Sequence, residues 1–247
     1  MGADFLATGH YARILWNEDL GRFQLLKGRD VKKDQSYVLY HIAPELLPHL
    51  FLPLGAFSKT EIREMAADFD LPVAAKAESQ EICFIADDDY GRFLREHCPD
   101  CLAPGDIVDR TGRVLGRHAG VPLYTIGQRR GLGIAAPEPL YVIGLDTGKH
   151  QVVVGREEEV FRDTLTAREV NWLTGGFLTT PRRVEAKIRY GLHTAWATVS
   201  PLGIAGAKVR FDTLQRAVTP GQSVVFYDGD EVLGGGVIAG TARGKKL

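Results

Sequence analysis

The sequence predicts an α/β segment over residues 1–88, a small central domain over 89–156 and a C-terminal β-structure over 157–247, either a small closed barrel or a sandwich. Three observations predict it. Ser58-Lys59-Thr60-Glu61 is a capping box that opens a helix among strand-like runs. The acidic run Asp87-Asp88-Asp89 interrupts the pattern. From Asp106 onward the chain consists of short apolar runs punctuated by glycine, the texture of all-β structure.

In chain order, Asp4 to Thr8 reads as a buried strand tip and Phe23-Gln24-Leu25-Leu26 as an edge strand. A helix is expected just after Lys33-Asp34-Gln35, with Tyr37, Leu39 and Tyr40 in it and Asp34 as its N-cap. The capping-box helix should end before Leu71-Pro72, since a proline disfavours helix at the residue before it. Ile82 to Ala86 is a short apolar run fit for a buried strand or strand-like loop. A short helix carrying Tyr90, Phe93 and Leu94 follows, and Pro104-Gly105 ends the linker. Asp146-Thr147-Gly148-Lys149 joins Leu140–Leu145 to Gln151–Val154 as a hairpin, and Asp228-Gly229-Asp230 joins Val224–Tyr227 to Glu231–Leu233.

The composition is that of a globular chain, with 45% hydrophobic and 25% charged residues. No apolar run reaches the ~18 residues of a membrane span, and no basic leader precedes an apolar stretch. Three cysteines argue against a disulfide framework and for a reducing cytoplasm. The net charge of −1 is nearly neutral, but its distribution is uneven. Five arginines and no carboxylate lie between Arg110 and Pro137, and seven Lys/Arg face only Glu185 and Asp212 between Pro181 and Arg216. Such stretches can neutralise phosphates, or can simply be solvated strand ends.

Several residues invite a chemical role. Cys83 is either a reactive thiol or a small buried hydrophobe beside Ile82 and Phe84, and nearby Glu78 and Glu81 would raise its pKa. Cys98-Pro99-Asp100-Cys101 could be a redox pair or half a zinc site. No second ligand pair accompanies it, so these thiols are expected to be incidental and no metal is expected. Thr8-Gly9-His10 follows a strand, where an α/β sheet places ligands, and glycine lets a ligand approach the backbone. Lys33-Asp34-Gln35 combines a cation, an acceptor and an amide. Tyr124 to Gly133 is rich in glycine with Arg129-Arg130, suited to phosphate contact or to a structural loop. In the tail, Lys187-Ile188-Arg189-Tyr190 by itself reads as an ordinary strand with an exposed arginine, and Pro220-Gly221-Gln222 as a turn before the strand Val224–Tyr227.

Ala7-Thr8-Gly9-His10-Tyr11-Ala12-Arg13, Lys33-Asp34-Gln35-Ser36-Tyr37, Glu78-Ser79-Gln80-Glu81-Ile82-Cys83-Phe84-Ile85 and Tyr124-Thr125-Ile126-Gly127-Gln128-Arg129-Arg130-Gly131-Leu132-Gly133 occur in this order. Together they resemble the tRNA-specific 2-thiouridylases (MnmA/TrmU family), over essentially the whole chain. The resemblance implies the α/β remnant of a PP-loop (adenine nucleotide alpha hydrolase-like) domain, then a small central domain and a C-terminal β-barrel. It implies ATP-dependent transfer of persulfide sulfur to C2 of the wobble uridine, with Cys83 carrying the sulfur. Gly9 would contact ATP, with Mg implied, and His10, Lys33, Asp34, Gln35, Arg189, Tyr190 and Gln222 would contact tRNA. The partners implied are tRNA and a persulfide donor protein, in the cytoplasm and away from membranes.

The family's Ser-Gly-Gly-x-Asp-Ser nucleotide loop and first catalytic cysteine should precede these motifs, and no Ser-Gly-Gly occurs in the 247 residues. The chain is therefore expected to be a fragment that cannot thiolate tRNA alone and would need a separate N-terminal ATP-binding half. The alternative is a non-catalytic tRNA-binding fragment or subunit. A thiol redox protein built on Cys98 and Cys101 is the third reading.

Overall fold

The computed structural model describes residues 2–72, 85, 89–191 and 193–242. In chain order its elements are β1 (Leu6–Ala7), β2 (Ala12–Asn17), β3 (Arg22–Lys27), β4 (Leu50–Phe51), α1 (Lys59–Asp68), α2 (Tyr90–His97), β5 (Gly105–Val108), β6 (Val114–His118), β7 (Tyr141–Asp146), β8 (Gln151–Gly155), β9 (Phe161–Trp172), β10 (Arg182–Lys187), β11 (Ala195–Pro201), β12 (Ala207–Arg216), β13 (Ser223–Asp228) and β14 (Glu231–Ala242). They fall into two units. One comprises Met1–Lys76, Asp163–Thr213 and Pro220–Ala242, and the other Ala77–Arg162, Leu214–Thr219 and Arg243–Leu247.

The first unit is built on a closed barrel. Its strands run β13-β10-β11-β12-β9-β14, and β14 returns to pair with β13, so no barrel edge is left open. Alternate residues point inward: Val184 and Ala186, Ala197 and Val199, Val209 and Phe211 are all buried. β13 departs from alternation because Val224, Val225, Phe226 and Tyr227 are all fully buried. Val225 and Tyr227 join Leu25, Tyr37, Tyr40, Leu47 and Val232 in a second core, made where the N-terminal segment covers the barrel wall. An uninterrupted apolar strand is what burial on both faces demands.

Two devices fasten that segment. The side-chain amide of Asn171 donates to the carbonyls of Tyr40 and Ile42, each at 2.8 Å. Gly235 leaves the wall bare where a Cβ would stand 2.7 Å from the Tyr40 ring. The triple glycine at 234–236 is thus a packing platform.

The hairpin β2–β3 extends this sheet. β3 is not the edge expected from sequence, since it pairs with β2 along its whole length and meets β14 at Glu231↔Leu26. The outer edge is β2. The buried strand tip at Asp4 to Thr8 is also corrected. β1 pairs only with β4, in parallel, and Phe5 and Leu6 are 68% and 63% exposed, because no layer among the described residues covers this two-stranded sheet. The helix α1 does start at the capping box: Ser58 accepts from the Glu61 amide and Glu61 from the Ser58 amide. The helix expected after Gln35 is a single 3-10 turn over Ser36–Leu39, with Gln35 rather than Asp34 at the N-cap position.

The second unit holds a four-stranded sheet in the order β6-β5-β8-β7, with β5 and β8 parallel and the other pairs antiparallel. Ile107, Val121, Leu132, Val142, Val152 and Val154 form its core. The two expected hairpins are present as β7–β8 and, in the first unit, β13–β14. Helix α2 carries Tyr90, Phe93 and Leu94 and is capped by Asp89, which accepts from the Arg92 amide. Cys98 and Cys101 are not incidental free thiols: they are joined as a disulfide across the short 3-10 turn at Pro99–Cys101, which brings their Cα atoms to 5.5 Å. The strand expected at Ile82 to Ala86 lies outside the described residues except for Ile85.

Candidate nucleic-acid interface

The first unit contains a cleft of about 770 Å³. One wall is the end of the β2–β3 hairpin and the loop after it, with Arg13, Lys27, Gly28, Arg29, Lys32 and Asp34. The facing wall is the end of β10 and the turn beyond it, with Lys187, Tyr190, His193 and Thr194, and Tyr227 lies between the walls. Five Lys/Arg meet only Asp34 and Asp230, so the cleft favours anions. Arg13 is paired with Asp230 at 2.9 Å and Arg29 with Glu61 at 3.2 Å. Lys27 donates to the Gly229 carbonyl and stands 4.7 Å from the centre of the Tyr227 ring.

The loop leading into the cleft is held by its own polar side chains. Asp34 accepts from the amides of Gly28 and Ser36 and from the Ser36 hydroxyl. Gly28 is required here, because a Cβ would lie 2.6 Å from the Tyr11 carbonyl oxygen. Gln35 accepts from the Tyr11 amide through its side chain and donates its own amide to the Tyr11 carbonyl. These bonds tie the loop to the start of β2.

Lys187 is half-buried between two aromatic rings, its ammonium 5.8 Å from Tyr37 and 5.9 Å from Tyr190. Burial pulls its pKa down, nearby Asp34 pushes it back up, and Lys27 adds to the lowering. Tyr190 is 51% exposed and its ring centre is 6.2 Å from that of Tyr37. Burial pushes the Tyr37 phenol up to about 12, and its hydroxyl donates to the Ser223 carbonyl at 2.8 Å. Burial also raises the Tyr227 phenol. Both phenols stay neutral at physiological pH, so the charged groups of the cleft are its five Lys/Arg together with Asp34 and Asp230.

Of the residues singled out from sequence, the structure brings Asp34 and Tyr190 into one cleft, across more than 150 positions of chain. Lys33 and Gln35 flank Asp34 in the loop. Arg189, next to Tyr190, is half-buried and makes no ion pair among the described residues. Gln222 is exposed at the turn before β13, outside the cleft lining, and its carbonyl accepts from the Ile238 amide. His10 holds Thr8 through Nδ1 at 2.6 Å. Cys83 lies outside the described residues.

In the second unit, Gln128 braces its own loop by accepting from the Thr125 amide and donating to the Arg130 carbonyl. Gly127 sits at φ 87°, so this stretch has a structural role, while Arg129 and Arg130 remain exposed. The sequence carried Lys187 only as the first residue of the Lys187-Ile188-Arg189-Tyr190 string, with no role of its own, and did not single out Lys27 or Lys32. Lysines are common on surfaces, and only the pairing of β10 with β13, and of β3 with β14, brings these three together.

ATP can be tested at Gly9. It is exposed just after β1, and a Cβ there would meet only Leu54, at 3.5 Å. Packing within the described residues therefore does not demand glycine, and there is room for a ligand against the backbone. Among the described residues, no cluster of three metal-ligating side chains occurs and no helix is long and apolar enough to cross a membrane.

Residues 1–87 match the family described as tRNA methyl transferase HUP domain, residues 91–156 the tRNA methyl transferase PRC-barrel domain, and residues 162–238 the aminomethyltransferase beta-barrel domain. The expected order of an α/β part, a central domain and a barrel is thereby borne out. The tRNA-specific 2-thiouridylase MnmA of Symbiobacterium thermophilum is 50% identical over 236 residues, which is 95% of this chain and 60% of that protein. The protein of the same name from Moorella thermoacetica is 49% identical over 243 residues, 98% of this chain and 68% of its own length. That of Acetivibrio thermocellus is 48% identical over 238 residues, 96% and 66% respectively. The chain thus spans 60% to 68% of the length of these curated relatives.

Proposed function

Because the chain belongs to the tRNA-specific 2-thiouridylase family, we propose that it supplies the tRNA grip and the sulfur-carrying cysteine of a uridine 2-sulfurtransferase. The observation that carries this reading is the cleft itself, where the loop around Asp34 faces Lys187 and Tyr190 in a basic, aromatic-lined space. In this reading residues 1–88 belong to the catalytic domain, 89–156 form a central tRNA-binding domain and 157–247 the barrel.

Lys27, Lys32, Lys187 and Arg189 take phosphates, and Tyr190 stacks on an unpaired base. Lys33, Asp34 and Gln35 lie against the RNA, the last two with side chains already bonded to backbone and so fixing the loop that meets it. His10 and Gln222 make outlying contacts. ATP with Mg, taken beside Gly9, would supply the activation that turns the uracil C2 oxygen into a leaving group. Cys83 would bring sulfur as a persulfide received from a donor protein. Its terminal sulfur would bond to C2 as the C2–O bond breaks and the oxygen leaves with the AMP that activation attached, and a second thiol would then take the Cys83 sulfur into a disulfide, leaving sulfur on the base. With tRNA as partner, the cytoplasm is the compartment this reading requires.

The test is Cys83→Ala in the cell that makes the protein, with 2-thiouridine in bulk tRNA measured by mass spectrometry. Loss of 2-thiouridine with tRNA affinity retained supports the sulfurtransferase, and an unchanged level sinks it. A second reading, a non-catalytic tRNA-binding subunit, needs only the basic, aromatic-lined cleft. It predicts the unchanged level.

A further inference from the structure

The outer face of β10, β11 and β12 carries charge that the cleft does not use. Val184 and Ala186 point into the barrel, so Arg183, Glu185 and Lys187 stand in one line on its outside. Lys187 belongs to the cleft, and Arg183 lies four residues back along the same line, roughly 13 Å away at strand rise. The register sets Arg183 opposite Thr198, Thr198 opposite Arg210, and Ser200 opposite Lys208. Three cations therefore share one face of adjacent strands.

Among them stands Trp196, opposite Glu185 and 53% exposed, with the Arg183 guanidinium 5.1 Å from its ring centre. The carboxylates nearby are engaged: Asp212 pairs with Arg183 at 2.6 Å, and Glu185 accepts from the Thr194 hydroxyl at 2.6 Å. Lys208 and Arg210 make no ion pair among the described residues. Thr194 also lines the cleft, so the face and the cleft are continuous. A half-exposed indole beside the Arg183–Asp212 pair, on a face where Lys208 and Arg210 carry no ion pair among the described residues, matches an unpaired nucleotide, whose base offers a π-face and whose backbone offers negative charge.

We propose that the outer face of β10–β12 is a second RNA-contact surface, on which Trp196 stacks an unpaired base while Arg183, Lys208 and Arg210 take phosphates of the strand leaving the cleft. The proposal rests on the cleft being an RNA site. Its charge and aromatic ring continue the chemistry of Lys187 and Tyr190, which favours nucleic acid over an acidic protein.

The test is binding of the full chain to an unmodified tRNA transcript with uridine at the wobble position, measured across a salt series. Arg183→Gln/Arg210→Gln should flatten the dependence of log affinity on log salt by roughly 1.5, about the counterions held by two phosphates. Arg183→Lys/Arg210→Lys should restore it. Trp196→Ala should weaken binding at least about 5-fold with the salt slope unchanged, as loss of one stacked base implies. Lys187→Gln is the control for the cleft, and thermal melting checks that each variant folds. If Lys187→Gln weakens binding while the outer-face variants bind normally, the second surface is wrong and the cleft reading stands. If none of them moves the affinity, the cleft reading fails as well. Outer-face variants that lose only an acidic protein partner, with tRNA binding intact, would also overturn the proposal.

Discussion

Gln35 and Tyr11 clasp each other by two hydrogen bonds. The Gln35 side-chain oxygen accepts from the Tyr11 amide at 3.0 Å, and the Tyr11 carbonyl accepts from the Gln35 amide at 2.9 Å. The clasp joins the first two sequence motifs and sets the path of the loop that carries Asp34 into the cleft. Gln35→Ala should leave the Tyr11 amide without its partner and lower stability by about 1–3 kcal/mol. Urea unfolding reads the loss, and an unchanged midpoint would show that water replaces the side chain at no cost.

Gly55 backs onto the same point. A Cβ there would run into the Ala12 carbonyl oxygen, and the Gly55 carbonyl accepts from the Arg29 amide at 2.9 Å. Gly55→Ala should cost about 1–3 kcal/mol by overpacking and shift the Arg29 wall of the cleft. Thermal melting and tRNA affinity should fall together. A stable variant with full affinity would mean that the backbone gives way freely.

The buried Tyr37 phenol gives an alkaline signature. Its folded pKa is about 12 against an ordinary 10.0, chiefly through burial. Between those values the unfolded chain has lost the proton and the folded chain keeps it. The stability it contributes is complete below pH 10 and is lost as pH rises through about 12. Tyr37→Phe should flatten this part of the stability–pH curve, and should also cost about 1 kcal/mol at neutral pH by freeing the Ser223 carbonyl. An unaltered alkaline limb would contradict the burial of this ring.

Lys187 acts in the opposite sense. Burial disfavours its charged form in the fold, so its cost to stability is present below its lowered pKa. That cost is relieved as pH climbs toward the ordinary lysine value of 10.5, where the unfolded chain also loses the proton. Lys187→Met should therefore be neutral or stabilising at pH 7 while weakening tRNA binding and its salt dependence. A variant that melts lower but binds tRNA unchanged would make Lys187 a packing residue.

The sequence announced some features with their causes. The Ser58/Glu61 capping box is a local hydrogen-bond pattern, legible because both partners sit within one turn. The β7–β8 and β13–β14 hairpins are local too, set by Asp/Gly turns. The run Val224–Tyr227 reads as a strand, and its lack of alternation carried the further information that both faces are covered. The exposure of β1, the interior position of β3 and the Cys98–Cys101 disulfide were misread, since each depends on what is placed alongside the segment.

By itself the sequence determined the family, the order of its parts and the short-range elements, because motifs, caps and turns are written within a few residues of one another. The tertiary structure alone decided which motif residues serve the backbone and which face the cleft. It turned Asp34 and Gln35 inward to hold the loop, and it set Lys187 and Tyr190 opposite them. Only barrel closure brings β10 and the N-terminal loop together, and the burial of Val225 and Tyr227 between the barrel and that loop drives it.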